Sequence, residues 1–281
     1  MRPPRADIAA PEFPPRLEWL GSPPESMAAA TAAGPVIVHF LDFAQLNSVR
    51  TLPYLRRWHE RYAGAGLTVL GVQTPRLSFG GDPETVAAGL GRLGVGFPVA
   101  LDTGRELWLD YGCDGWPSLF LWARGGALAW FHFGEGEYVA TEEAIQHELR
   151  ELDALRELPP PLQPLRPTDV PGIEVIAPTA ELFPAGERAW DPARDGAGFT
   201  VEYEAGGAFA TVEGTGRISA RLDGAEEETV AVAGTGIYPL AEHERHGRHS
   251  LEIDLSPGLA LWSVSFAPGL PADGGEASDR G

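Results

Sequence analysis

Two patterns of apolar spacing divide the chain. Over the first 158 residues, continuous apolar runs alternate with helical stretches. PVIVHFLDF (35–43) and LTVLGVQT (67–74) are nearly unbroken apolar strings, which suits strands covered on both faces. AQLNSVRTLPYLRRWHERYAGAG (44–66) between them predicts a helix that ends at glycines, with Pro53 expected to kink it. Asp82 followed by Pro83 predicts the start of a second helix. FPVALD (97–102) predicts a short strand and Arg105–Tyr111 a short helix. SLFLWA and ALAWFHF, joined by Arg124-Gly125-Gly126, predict a hairpin. TEEAIQHELRELDALREL (141–158) predicts a closing helix with Thr141 as N-cap and Ile145, Leu149 and Leu152 on one stripe. The order is β-α-β-α-β-(short α)-β-β-α.

Beyond residue 172 the spacing changes to period two. Phe199, Val201 and Tyr203 alternate with Thr200, Glu202 and Glu204. Ile218, Ala220 and Leu222 alternate with Ser219, Arg221 and Asp223, and Leu251, Ile253 and Leu255 with Glu252 and Asp254. Strands with one apolar and one polar face, separated by turns such as Asp223-Gly224, predict an antiparallel β-sandwich. Between the two regions lies ELPPPLQPLRPTDVPG, whose six prolines predict a semi-rigid spacer. The expected organisation is a flexible N-terminus (1–11), an α/β domain (12–157), a proline-rich linker (158–171), a β-sandwich (172–268) and a disordered tail (269–281).

Composition narrows the chemistry. Formal net charge is −19, so the chain repels phosphate backbones; no nucleic acid partner is expected, and anionic lipid surfaces are poor partners. All 21 basic residues are arginine, which removes Schiff-base chemistry and a Walker-type phosphate lysine. Cys113 is the one cysteine, so neither an internal disulfide nor a Cys-rich zinc site forms. No apolar run is long enough to span a bilayer, and no apolar stretch follows the N-terminal arginines, so membrane insertion is not expected and a cytoplasmic location is. The sequence calls for no cofactor.

PVIVHFLDFAQLNSVRTLPYLRRWHERYAGAGLTVLGVQTP, FPVALDTGRELWLDYG, GWPSLFLW and FHFGEGEY together resemble the TlpA-type redoxin branch of the thioredoxin superfamily, and among it the soluble domains of CcdA-type disulfide transporters. The resemblance spans roughly residues 10–155. It implies a thioredoxin-like fold, a cis peptide at Trp116–Pro117 and a groove beside it where an extended peptide pairs with the backbone. Such relatives often carry a C-terminal jelly-roll that resembles a carbohydrate-binding module, and HSLEIDLSPGLALWSVSFAPG looks like its closing strands.

The resemblance breaks where the chemistry is expected. Relatives hold Cys-x-x-Cys at the helix start, where the macrodipole and free backbone N–H groups lower a thiol's pKa and a second thiol resolves the mixed disulfide. Here those positions are Gln45 and Ser48. An amide does not ionise, and a serine hydroxyl needs an adjacent base. Asp42, just ahead of the helix, is read as a cap or a solvated acid rather than a general base. Cys113 is read as a buried or incidental small residue; the sharper alternative is a relocated thiol, although Asp110 and Asp114 would raise its pKa. His243, His246 and His249 would share a face and could ligate Zn²⁺ if helical; they are read as a polar loop. Trp190, Phe199, Tyr203, Phe209, Tyr238, Trp262 and Phe266 are read as core rather than as a sugar-stacking surface, so glycan binding is an expectation of the resemblance alone. The Gly214/Gly216 and Gly234/Gly236 pairs do not join a strand to a helix and are set aside as phosphate loops.

Three functions remain open from sequence. One is a protein- or peptide-binding scaffold that keeps the groove (Asp42, Gln45, Ser48, Trp116, Pro117) without the dithiol. Another is an oxidoreductase working through Cys113 with an external thiol. The last is an enzyme of another class that reuses the groove.

Overall fold

The structure is a computed structural model that describes residues 8–272. The chain separates into two compact units, residues 1–165 and 166–281.

The first unit contains β1 (Glu18–Leu20), α1 (Met27–Ala33), β2 (Val36–Leu41), α2 (Leu46–Tyr62), β3 (Thr68–Gln73), α3 (Pro83–Arg92), β4 (Val99–Leu101), α4 (Glu106–Asp110), β5 (Ser118–Trp122), β6 (Leu128–Phe133) and α5 (Tyr138–Leu152). Its six strands form one sheet in the order β1-β4-β3-β2-β5-β6. β2, β3 and β4 run parallel, and β5 and β6 antiparallel to their neighbours. This is a thioredoxin-like α/β fold. β2 and β3 are central, which is why they read as unbroken apolar strings. Val36, Val38 and Phe40 pack into one cluster with Met27, Val72 and Trp108. The alternate residues Ile37, His39 and Leu41 face the other side and are equally buried.

Several expectations need correction. β1 and α1 have no counterpart in the sequence reading. α2 stops at Tyr62 and tightens into a 3-10 turn over Ala63–Ala65. α5 starts at Tyr138, after Glu137 in the left-handed region, so Thr141 is not its N-cap. Thr141 instead lies inside the first turn, where it accepts a hydrogen bond from Trp130 Nε1 at 3.2 Å. The segment expected as a free spacer is partly docked: residues 159–165 are hydrogen-bonded to α2 and α5. The N-terminal segment is also tied down, through Ala10 N–H on Gly126 and Leu128 N–H on Ile8; residues 1–7 lie outside the described residues.

The second unit contains α6 (Pro192–Asp195), β7 (Gly198–Gly214), β8 (Gly216–Leu222), β9 (Glu228–Val232), β10 (Gly236–Leu255) and β11 (Leu259–Ala267). The strands are antiparallel, as their alternation predicts, and form one five-stranded sheet in the order β11-β7-β10-β8-β9 rather than two facing sheets. Register shifts at Pro239/Ala241, Glu242/Gly247 and Leu261/Ser263 interrupt the long ladders; bulges of this kind bend a strand and increase its twist. Val201, Tyr203, Leu251, Ile253 and Val264 form its core. Gly214, at φ 100°, turns β7 into β8 against the carbonyl of Gly258, where a Cβ would have no room. Of the expected disordered tail, Gly269 and Leu270 bridge to Ile176 and Arg245, and residues 273–281 lie outside the described residues.

Candidate functional site

The site lies where β2 runs into α2. A strand that ends in a helix N-terminus must satisfy the free N–H groups of the first turn. Gln45 is the N-cap, with extended backbone, and its side-chain oxygen accepts from Ser48 N–H at 2.8 Å. Ser48 is fully buried, and its Oγ accepts from Asp42 N–H at 3.2 Å. Asp42 Oδ1 accepts from Ala44 N–H at 2.9 Å, and Oδ2 from Arg76 N–H at 2.7 Å. Gln73, at the end of β3, completes the junction by accepting from Phe43 N–H at 3.0 Å. Asp42, Gln45 and Ser48 thus form one hydrogen-bonded lock, in which the two polar replacements serve the backbone.

Asp42 is not solvated. It is 1% exposed, and burial raises its pKa above the ordinary carboxylate value, against the lowering effect of its backbone N–H donors and of Arg76. Both oxygens accept backbone N–H groups, one as an Asx-type cap and the other as a cross-link to the loop after β3.

Trp116 and Pro117 border the same end of the sheet. β2 pairs with β5 through Phe40↔Ser118, so the next step in that register sets Leu41 opposite Pro117. The Trp116–Pro117 peptide is cis. Trp116 Nε1 donates to the Thr74 carbonyl at 2.9 Å, and Thr74 N–H donates to the Leu41 carbonyl at 3.0 Å, so the indole is anchored across the strand ends. Arg105 lies over the indole at 5.4 Å and donates to the Pro75 carbonyl at 3.0 Å. It adopts φ 58°, a left-handed conformation that a non-glycine residue pays for in strain. Beyond Pro117, whose carbonyl accepts from Gly134 N–H at 2.8 Å, the Glu135 carboxylate grips Arg50 Nε at 2.7 and 2.9 Å. Sequence reasoning missed Gln73, Arg105 and the Arg50–Glu135 pair. A polar residue closing an otherwise apolar strand was the signal for Gln73; the other two depend on tertiary approach.

Cys113 lies between α4 and β5, against the apolar cluster that includes Trp108 and Trp116. Its thiol is pushed up to about 12, chiefly by burial, with Asp102 adding to the rise and Ser118 opposing it. The charge that acts on it is Asp102, not Asp110 or Asp114.

The three histidines are in neither a helix nor a loop. They lie within β10: His249 pairs opposite Tyr203 of β7, whereas His243 and His246 fall in the register break between Glu242 and Gly247. His243 Nε2 pairs with Tyr203 Oη at 2.9 Å and His249 Nδ1 with Asp223 at 2.8 Å, and the two imidazoles stack at 3.8 Å. His246 instead joins Leu270 through its backbone. Among the described residues no group of three His, Cys, Asp or Glu is placed to hold a metal ion. No described helix is long and apolar enough to cross a membrane.

No family model matches the chain. Protein DipZ of Mycobacterium bovis is 31% identical over 174 residues, 62% of this chain and 23% of that protein. Suppressor of quenching 1, chloroplastic, of Arabidopsis thaliana is 26% identical over 135 residues, 48% of this chain and 13% of that protein. The chain therefore spans less than a quarter of the length of these curated relatives. Among solved structures, a putative thiol:disulfide interchange protein DsbE from Chlorobium tepidum superposes with a TM-score of 0.43 at 21% identity, over 50% of this chain and 95% of that one. With Cys113 as the chain's one cysteine, the first unit, whose strands and helices have the thioredoxin-like α/β arrangement, has no Cys-x-x-Cys pair.

Proposed function

We propose that this chain is a protein- or peptide-binding module, built on a thioredoxin-like groove that has given up its redox dithiol. The observation that carries the reading is the use of Gln45 and Ser48 as a cap and a backbone acceptor. Those positions now stabilise the helix start rather than exchange electrons. The groove wall does not depend on sulfur: Trp116 is fixed by Thr74, and Arg105 covers its indole. An extended peptide laid beside Pro117 is the ligand class that the resemblance implies. A cytoplasmic setting belongs to the same reading, because the fold needs no disulfide.

The competing redox reading rests on Cys113, whose burial suppresses the thiolate that exchange requires. Glycan binding by a jelly-roll-like second unit draws support from the resemblance of its closing strands alone. Tyr203 and Phe266, two of its large rings, are buried in its core.

Carboxymethylated insulin B chain, an extended peptide without free thiols, tests the binding reading. Its titration into the whole chain, followed by anisotropy of a label on the peptide, is expected to saturate. Trp116→Ala, with an unchanged circular dichroism spectrum, is expected to weaken binding at least tenfold. Equal binding by parent and variant, or no binding by the parent at millimolar peptide, overturns the proposal.

A further inference from the structure

The proline-rich segment Pro159–Leu165 is held in a way that a passive linker does not require. Prolines keep a chain extended and free of internal hydrogen bonds, so its carbonyls and few N–H groups need outside partners. Side chains of two helices supply them. From α5, Gln146 Nε2 donates to the Pro159 carbonyl at 2.8 Å, and Glu142 Oε2 accepts from Leu162 N–H at 2.9 Å. From α2, the Arg61 guanidinium donates to the Pro160 carbonyl, and Tyr54 Oη accepts from Leu165 N–H at 2.7 Å.

The side chains of the receptor face are also bonded to one another. Glu142 and Gln146 are 1% and 3% exposed. Burying a carboxylate on a helix face costs free energy unless it is fully paired. Tyr62 Oη meets part of that cost: it donates to Glu142 Oε1 at 2.5 Å and accepts from Gln146 at 2.8 Å. Arg61 adds charge at 3.7 Å. The remaining carboxylate oxygen faces the segment's backbone. Tyr54 is held by a parallel stack on Tyr138 at 3.7 Å. On the ligand side, Leu162 and Leu165 are half-buried, whereas Gln163 and the rings of Pro159, Pro160 and Pro161 are exposed. Residues three apart share a side of a polyproline-type helix. Two leucine anchors with side chains reading the backbone between them are the features of a peptide-recognition site.

We propose that the α2/α5 face is a receptor site for extended proline-containing peptides of the pattern Pro-Pro-x-Leu-x-Pro-Leu, occupied here by the chain's own segment 159–165. Tethering presents that segment at a millimolar effective concentration, so a free peptide gains access only where the chain's own copy is displaced or absent.

Two measurements on the whole chain test this. In amide hydrogen exchange of the wild-type chain by NMR, Leu162 and Leu165 are expected to be protected at least tenfold relative to Gln163. Random-coil exchange at all three positions overturns the proposal. A chain in which residues 159–165 are replaced by a Gly/Ser sequence of equal length is then titrated with fluorescein-labelled PPPLQPL. Binding at least tenfold tighter than to the wild-type chain is expected, weakened severalfold by Tyr54→Phe. Equal affinity for the replaced and wild-type chains overturns the proposal; if the replaced chain does not fold, the exchange data on the wild type decide.

Discussion

The hydroxyl of Ser48 accepts the backbone N–H of Asp42 at 3.2 Å, inside a site with no solvent access to the serine. One turn into α2, a side chain thereby closes the strand that precedes its own helix. Removing it leaves a buried donor without a partner, which costs about 1–3 kcal/mol. Ser48→Ala is therefore expected to lower the thermal midpoint of the first unit by several degrees, with no effect on any thiol-dependent readout. Gln45→Ala removes an N-cap acceptor worth roughly 1 kcal/mol. Calorimetry checks both; a Ser48→Ala midpoint equal to the parent's removes the lock from the account.

Cys113 should behave as an inert thiol. With its pKa pushed up to about 12 by burial, against an ordinary value of 9.0, the thiolate at neutral pH falls about a thousandfold. Reaction with a disulfide reagent is expected to be slower than for a free thiol by a comparable factor and to accelerate when the chain is unfolded. Stopped-flow modification at pH 7.5 measures this, and a rate at or above that of free cysteine would restore the relocated-thiol reading.

His39 is expected to shape the acid limb of the stability curve. It sits in the middle of β2, opposite Gly71 and Leu119, fully buried and without a hydrogen-bond partner for either ring nitrogen. Burial lowers its pKa to about 3, from an ordinary 6.5. The unfolded chain takes up a proton as pH falls below about 6.5 while the native state does not, so stability is lost between that pH and about 3. At pH 5 the loss amounts to about 2 kcal/mol. His39→Leu is expected to flatten the difference in denaturation free energy between pH 7.5 and pH 5 by that amount. An unchanged difference contradicts a neutral, buried imidazole.

The sequence carried most of what local pattern and family likeness carry. β2 and β3 were legible because central strands are apolar on both faces, and α3 because Asp82 accepts from Thr85 N–H at 2.8 Å with Pro83 behind it. β1 was invisible: three residues, Glu18–Leu20, become a strand only by pairing with β4. The histidine run, read as a polar loop, lies within β10, because its flanks pair with β7 at Glu242↔Gly207 and from Gly247↔Ala205 onward. The positions of Gln45 and Ser48 were legible from the likeness, but their bonding was not, because glutamine is not a favoured N-cap. The proline segment was read by composition as a spacer. Its docking depends on Tyr54 and Glu142, about 111 and 20 residues away from their partners in the chain, a distance that local pattern does not reach.

The central claim, that the scaffold remains while its reagent is gone, is tested most directly by dithiothreitol-driven reduction of insulin. The parent chain and Cys113→Ser are both expected to match the reductant-only baseline, and the double variant Gln45→Cys, Ser48→Cys to rise above it. A parent chain that turns over insulin, with the activity abolished by Cys113→Ser, would contradict the account.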